Sequence, residues 1–491
     1  MIAELSEFEH QELRAEGHCN ADLAPVPAAG RKWRAPSFAA LWISMSACIP
    51  TYMLASSLIG GGMDWRQAVA TVFLGNLIVL VPMILNAHAG TKYGIPFPVY
   101  CRAAFGVKGA NIPALLRALV ACGWFGIQAW IGGDAIYRIC AVLFGLHVAP
   151  AHNWFGITAG QFACFMLFWG VNMWVIYKGI DTIRFLLNIK APLLVALGLL
   201  LLGWAYVQAG GFGPMLSQPS AFVAGGAKAG QFWGYFFPAL TGMVGFWATL
   251  SLNIPDFSRY AVSQKDQALG QAFGLPLTMA LYAFIGVAVT SATAVIYHET
   301  LWNPVDVLTH FKNPVVLAFA MLALAVATLA TNIAANVVSP ANDFAHLAPR
   351  KISFRTGGLI TGVIGILMMP WKLIADPNGY IFTWLIAYSA LLGPVGGILI
   401  ADYFVWRKRD LALKDLYKQD GRYGSFSPAA VVALVAGVLP SLPGFLVQVK
   451  LLAASAVPQM LVDLYNYAWF IGFGIAFIVY LALRRMAGAQ K

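Results

Sequence analysis

The chain has 491 residues, of which 60% are hydrophobic and only 10% charged, and its mean hydropathy is +0.72. Soluble proteins carry roughly 25% charged residues, so an ordinary soluble domain is excluded. The net charge of +11 sits in short loops between apolar runs, where it reads as topology signal and anionic-lipid contact and not as a nucleic-acid surface.

Apolar runs of about 20 residues recur along the chain, the mark of an all-α polytopic membrane protein. The alternating pattern of a membrane barrel is absent. Residues 1–35 form a polar tail, with Glu4, Glu7, Glu9, Glu12 and Glu16 followed by Arg31, Lys32 and Arg34. An early apolar core is missing there, so no cleaved signal peptide is expected. Twelve spans follow, at about 37–60, 66–88, 111–145, 155–177, 188–209, 231–253, 268–296, 314–338, 356–372, 379–405, 428–448 and 463–484. With the N-terminus inside, 25 of the 31 Lys and Arg fall on the cytoplasmic side. That asymmetry predicts an integral plasma (inner) membrane protein with both termini cytoplasmic.

The first span contains Ser44, Ser46, Cys48 and Pro50. Proline removes a backbone donor, so an interruption is expected there. The third span reads ACGWFGIQAWIGGD, and Trp124 and Gln128, four apart, share a face. Asp134 is the only acid well inside a predicted span. It lies off the Trp124/Gln128 face, so a solvated outer-vestibule role ranks above proton coupling, for which it is nonetheless a candidate.

The sixth span, FFPALTGMVGFWATLSLNIPDFSRY (Phe236–Tyr260), holds Gly242 and Gly245 directly before Phe246 and Trp247. Glycine weakens a helix by about 1 kcal/mol, and loosened backbone survives in hydrocarbon only beside protein or a wet cavity. The expectation is a second interruption and a binding site. Close helix–helix packing is the alternative use of these glycines. Interrupted spans five apart point to an inverted-repeat transporter.

The eighth span, ATLATNIAANVVSP, repeats polar residues every four positions: Thr328, Asn332 and Asn336, with Thr331 adjacent. Such a stripe must face protein or a cavity, and interhelical hydrogen bonding is its plainer use. Two asparagines and a glutamine offer donors and acceptors without charge. That chemistry suits a neutral planar ring with amide edges. Asp256, Asp306, Asp376 and Asp402 fall at span ends and read as interfacial. The cysteines, Cys19, Cys48, Cys101, Cys122, Cys140 and Cys164, have no close-spaced pair and read as packing residues. The eight histidines lack metal-ligand spacing.

GTKYGIPFPV (Gly90–Val99), GANIPALLRAL (Gly109–Leu119), WFGIQAW (Trp124–Trp130), NIPDFSRYA (Asn253–Ala261), TNIAANVVSP (Thr331–Pro340) and LGPVGGILIADYF (Leu392–Phe404) together resemble the nucleobase–cation symporter one family, closest to its allantoin-permease branch. The resemblance implies a LeuT-type 5+5 inverted repeat plus two C-terminal helices. Residues 36–405 would be the transport core, with repeats at about 36–210 and 231–405. A cytoplasmic loop (406–427), two extra helices (428–484) and a short tail (485–491) complete the chain. It also implies a ring sandwiched between Trp124 and Trp247, read by Gln128 and Asn336, with Asn332 one turn earlier. Phe246 replaces a glycine of the family's hydantoin transporter and Cys48 a glutamine. The implied sodium site uses carbonyls of Ser44, Ala47 and Ala327 and hydroxyls at Ala330 and Thr331. Ala330 replaces a serine, which weakens that site. Leu385 falls at the outer gate.

The function implied is secondary active import of a neutral nucleobase or ureide ring (allantoin, hydantoin or uracil type) by cation symport with alternating access. No cofactor is expected, and the coupling ion is a proton or sodium. The partners are a small-molecule substrate and the lipid bilayer, with no nucleic acid polymer, and a monomer is compatible. An uncoupled facilitator for the same solutes is the alternative. An integral membrane enzyme ranks last, since no His/Asp/Glu cluster gathers at one face.

Overall fold

The computed structural model describes residues 18–20, 23–145, 156–178, 180–348 and 351–489. Three of the 25 cytoplasmic Lys and Arg (Arg14, Arg350 and Lys491) and the five tail glutamates lie outside them. Among the described residues the regular structure is helical, apart from one isolated bridge between Trp33 and Ala261. Eight helices among the described residues are long and apolar enough to cross a membrane. Two bent pairs pass the same test together, and two shorter apolar helices, Leu193–Gln208 and Arg355–Leu367, complete the series. Each of the twelve predicted spans therefore falls on one of these elements.

The helices that matter for the site are α1 (Ala35–Ser46), α2 (Ile49–Gly60), α3 (Trp65–Tyr93), α4 (Phe97–Phe105), α5 (Asn111–Phe144), α6 (Ala159–Lys178), α7 (Phe232–Phe246), α8 (Ala248–Asn253), α9 (Gln264–Tyr297), α10 (Pro314–Asn336), α11 (Val338–Leu347), α12 (Phe354–Leu367) and α13 (Gly379–Trp406). α5 runs through the centre, packed on α6, α10, α11 and α12, while α9 packs on α1, α2 and α3. On α9 the apolar side chains Phe273, Leu277 and Leu281 recur every four residues on the outside. In a lipid solvent such a face needs no cover, so it marks the bilayer side of the bundle.

The first interruption lies where proline predicts it. Between α1 and α2, Cys48 is extended (φ −152°, ψ 160°), Pro50 enters the first turn of α2, and the axis bends by 61°. The second is one step later than the glycines suggest. α7 continues through Gly242 and Gly245, the break falls at Trp247 (φ −102°, ψ 10°), and the bend is 43°. The glycines serve contact instead. A Cβ on Gly245 would collide with Ser389 Oγ and lie 2.9 Å from the Leu385 carbonyl oxygen, and one on Gly242 would lie 3.1 Å from Ile381. Small residues at these positions let α7 and α13 approach closely.

Two further expectations change. The polar N-terminal segment is part of the fold from its described residues on. Arg31 is buried and donates to the carbonyls of Val26 (2.9 Å) and Thr91 (3.0 Å). Trp33 exchanges backbone hydrogen bonds with Tyr260 (2.8 Å) and Val262 (2.9 Å), tying that segment beneath the second break. The eighth span also runs on as helix α11 to Leu347, so Asp343 is buried inside the protein.

Candidate functional site

Both interruptions face a single slot. It is lined by Met45, Cys48 and Pro50 at the first break, Trp124 and Gln128 on α5, Phe246, Trp247, Thr249 and Leu250 at the second, and Thr331, Ala335 and Asn336 on α10. Trp124, Gln128, Phe246, Trp247, Asn336 and Cys48 thus meet in one place. Phe246 stands edge-on between the two indoles, 5.3 Å from the Trp124 ring and 4.9 Å from the Trp247 ring. Trp42 braces Trp247 from behind at 5.2 Å.

Hydrogen bonding in this slot is incomplete. Gln128 Oε1 and Trp247 Nε1 are buried without a partner. A buried polar group left unpaired costs about 1–3 kcal/mol. An acceptor and a donor held open together are therefore complementary to a molecule that carries both N–H and C=O groups. About 40 Å³ of space is enclosed. That is room for water and not for a ring.

Asn332 does not line the slot. Its Nδ2 donates to the Phe125 carbonyl (3.2 Å) and to Asn172 Oδ1 (3.1 Å), and its Oδ1 accepts from Asn336 Nδ2 (3.1 Å). Asn172 Nδ2 in turn donates to the Phe168 carbonyl (2.8 Å). Asn332 therefore orients Asn336 and holds α10 against α5 and α6. Cys48 Sγ lies 3.2 Å from Thr51 Oγ1.

One end of the slot is shut by aromatic side chains. Trp124 packs edge-on against Tyr380 (6.2 Å), Trp384 (5.9 Å) and Tyr388 (6.3 Å), and the Tyr380 hydroxyl donates to the Pro50 carbonyl (3.1 Å). These three aromatics recur every four residues on α13, a stripe visible in the sequence that the reading above leaves unused. Leu385 is fully buried against Gly242 and Gly245 and is not a slot residue. It lies on the π-helical turn Gly379–Leu385. Toward the other end, Met45, Leu250 and Ala335 alone are shared between the slot and a vestibule of about 170 Å³. The vestibule is further lined by Asn253, Asp256, Arg259, Tyr260 and Ser339. The slot is thus closed by a thick aromatic layer at one end and only thinly sealed at the other.

At the implied sodium position, the Thr331 hydroxyl donates to the Ala327 carbonyl (2.9 Å), and Ala330 is buried with no hydroxyl to offer. Ser44 lies on α1, and Ala47 lies between α1 and α2. Hard cations are held by several oxygens, so the ligand set here is short by one. Asp134 is buried and not solvated; it pairs with Arg138 (3.6 Å), which also pairs with Asp306 (3.3 Å). Burial pushes the Asp306 carboxyl above its usual range, against the pull of Arg138. Asp402 is buried too, held by Arg407 (2.7 Å) and Tyr480 (2.6 Å), so it is not interfacial. Arg102 and Arg117, counted above as loop charges, are almost fully buried.

The chain is similar to known proteins. The chain is 45% identical to the purine-uracil permease of Arabidopsis thaliana, over 96% of this chain and 78% of that one. It is 39% identical to the allantoin permease of Bacillus subtilis, over 95% and 93%. The structure superposes on Mhp1, a nucleobase-cation-symport-1 transporter solved in a closed conformation with bromovinylhydantoin, with a TM-score of 0.75, 24% identity and 96% coverage of both chains. At that identity the likeness speaks to the fold, which is LeuT-type. Residues 25–472 match the family described as permease for cytosine/purines, uracil, thiamine and allantoin. The chain belongs to that family of membrane permeases, and its work is transport and not catalysis.

Proposed function

We propose that this permease imports one neutral ring with amide edges, a nucleobase or ureide, by proton symport through alternating access. The observation that carries the reading is the pair of unmatched groups in an uncharged slot, the Gln128 acceptor and the Trp247 donor. The ring stacks on Trp124, Trp247 covers its other face, and Gln128 and Asn336 read its amide edge. Phe246 narrows the wall, which favours rings without bulky substituents. The names of the relatives, purine-uracil and allantoin permease, fall in the same substrate class.

Proton coupling is favoured over sodium by Ala330, which supplies no hydroxyl. A ligand shifts an inward–outward equilibrium only by its differential affinity for the two states. The thin inner seal and thick outer aromatic lid are compatible with a state close to inward release. The protein would sit in the plasma (inner) membrane with both termini cytoplasmic, residues 36–405 acting as the transport core. Competition of labelled allantoin and uracil uptake by a panel of ureides, nucleobases and charged analogues tests the substrate class. Neutral rings should compete and the anion orotate should not. Equal competition by orotate would contradict the reading.

A further inference from the structure

Below the slot, three elements bring buried charges together. Arg117 on α5 and Asp343 on α11 form an ion pair of 3.0 Å with both side chains 1% exposed. Asp256, just after α8, lies beside them. The Asn253 amide links the two parts: in the orientation that satisfies both of its ends, Nδ2 donates to the Thr249 carbonyl (2.6 Å), and Oδ1 accepts from Arg117 Nη2 (3.0 Å) and Ser339 Oγ (2.8 Å). The cluster holds two carboxylates and one guanidinium, so it is one positive charge short of neutral.

The two carboxylates differ in their surroundings. Asp256 has a fixed backbone donor: Oδ1 accepts from the Phe97 N–H (2.8 Å) at the start of α4, while Oδ2 lies 2.8 Å from Ser339 Oγ, whose single proton goes to Asn253 Oδ1. Asp343 has only Arg117. Its Oδ1 is buried with no partner, and so is Arg117 Nε. Donors to a carboxylate favour its charged form, while burial without them favours the neutral one. Two acids set apart in this way divide the roles, one fixed and one exchanging.

We propose that Asp343 is the proton-coupling residue of this permease, with Arg117 its counter-ion and Asp256 the fixed negative charge. This inference rests on the proton-symport reading above. The step is a simple balance: the Asp343 carboxylate accepts one proton while the slot faces outward, and gives it up through the vestibule once the slot faces inward. Asn253, Asp256 and Ser339 line that vestibule. The other titratable or charged groups around the cluster are Cys101 on α4, Cys122 on α5, the Arg102–His346 pair (3.2 Å) and Arg259 at the vestibule wall.

The cluster is joined to both moving parts of the slot. Asn253 closes α8, the short helix that starts immediately after Trp247. Asp343 follows Asn336 across the irregular residue Val337 (φ −116°, ψ −50°). Arg117 bridges Asp343 and Asn253, so removing the Asp343 charge changes how it holds Asn253, and protonation and the position of the second break become linked. The Asp134–Arg138–Asp306 group has the same charge count, but it lines neither the slot nor the vestibule.

The test uses the full chain, purified and in proteoliposomes. Substrate binding to the wild type in weakly buffered detergent solution should take up about one proton per ring, read by a pH indicator. Binding without any proton exchange overturns the proposal, whereas absence of ring binding overturns the substrate reading instead. In D343N, accumulation driven by a pH gradient should fall at least about tenfold, while substrate counterflow, which moves no net proton, falls far less; about 1.4 kcal/mol of lost coupling suffices for that factor. Gradient-driven accumulation that survives in D343N, or that is lost in D134N alone, contradicts the assignment. Should D343N fail to assemble, the wild-type proton count decides by itself.

Discussion

Asn332 Nδ2 donates to Asn172 Oδ1 at 3.1 Å, joining the C-terminal end of α10 to α6 where neither residue lines the slot. The Oδ1 of the same amide accepts from Asn336 Nδ2, so a slot residue is oriented from the neighbouring helix. Asn172→Ala should therefore imitate Asn332→Ala. Both should weaken substrate binding by about 1–2 kcal/mol, the cost of buried partners left unpaired, or roughly 5- to 30-fold in Kd. Equilibrium binding to the purified variants checks this. An Asn172→Ala protein with unchanged Kd would show that Asn336 holds its place unaided.

Gly245 fills the space between α7 and α13. Gly245→Ala forces Cβ into Ser389 Oγ, and overpacking typically costs about 1–3 kcal/mol. The thermal midpoint of the purified protein should fall, and Ser389→Ala should recover part of it in the double variant. No shift in Gly245→Ala would mean that the helices separate there without cost.

Phe246 is the wall residue that sets slot width. Phe246→Gly should admit rings carrying larger substituents, raising their competition against allantoin uptake severalfold. The substitution removes a buried aromatic, so surface expression must be measured alongside. Unchanged selectivity in a well-expressed variant would place the limiting wall elsewhere.

Ala330 offers a gain-of-function test. Uptake by the wild type should be unchanged when sodium is replaced by choline at constant pH. Ala330→Ser restores a hydroxyl beside Thr331 and should introduce sodium stimulation. Strong sodium dependence already present in the wild type would contradict proton coupling.

Much of this was legible in the residues. Pro50 marks the first break, although Pro82, Pro238, Pro276 and Pro394 lie inside helices that continue past them, so proline alone does not fix a break. Trp124 and Gln128 were legible through their four-residue spacing, and Asn336 through the polar stripe. The second break was displaced because glycine has two uses in membranes, loosening a helix and letting helices touch, and the sequence does not separate them. Asp343 was missed for a related reason. Ser339 and Pro340 looked like the end of a span, but proline is tolerated in the first turn of a new helix, and the chain runs on to Leu347. Asn332 looked like a ligand residue because a polar stripe shows which residues are buried together, not which of them already satisfy one another.

The account as a whole stands on a ring held between Trp124 and the carboxamides of Gln128 and Asn336. Equilibrium binding of allantoin, hydantoin and uracil to the purified wild type, Trp124→Ala and Gln128→Ala proteins tests it most directly. Stacking on an aromatic side chain is worth about 1–3 kcal/mol per base, so at least one ring should bind the wild type and lose about 5- to 150-fold in each variant. Equal affinity for wild type and Trp124→Ala, in a folded variant, would contradict the central claim.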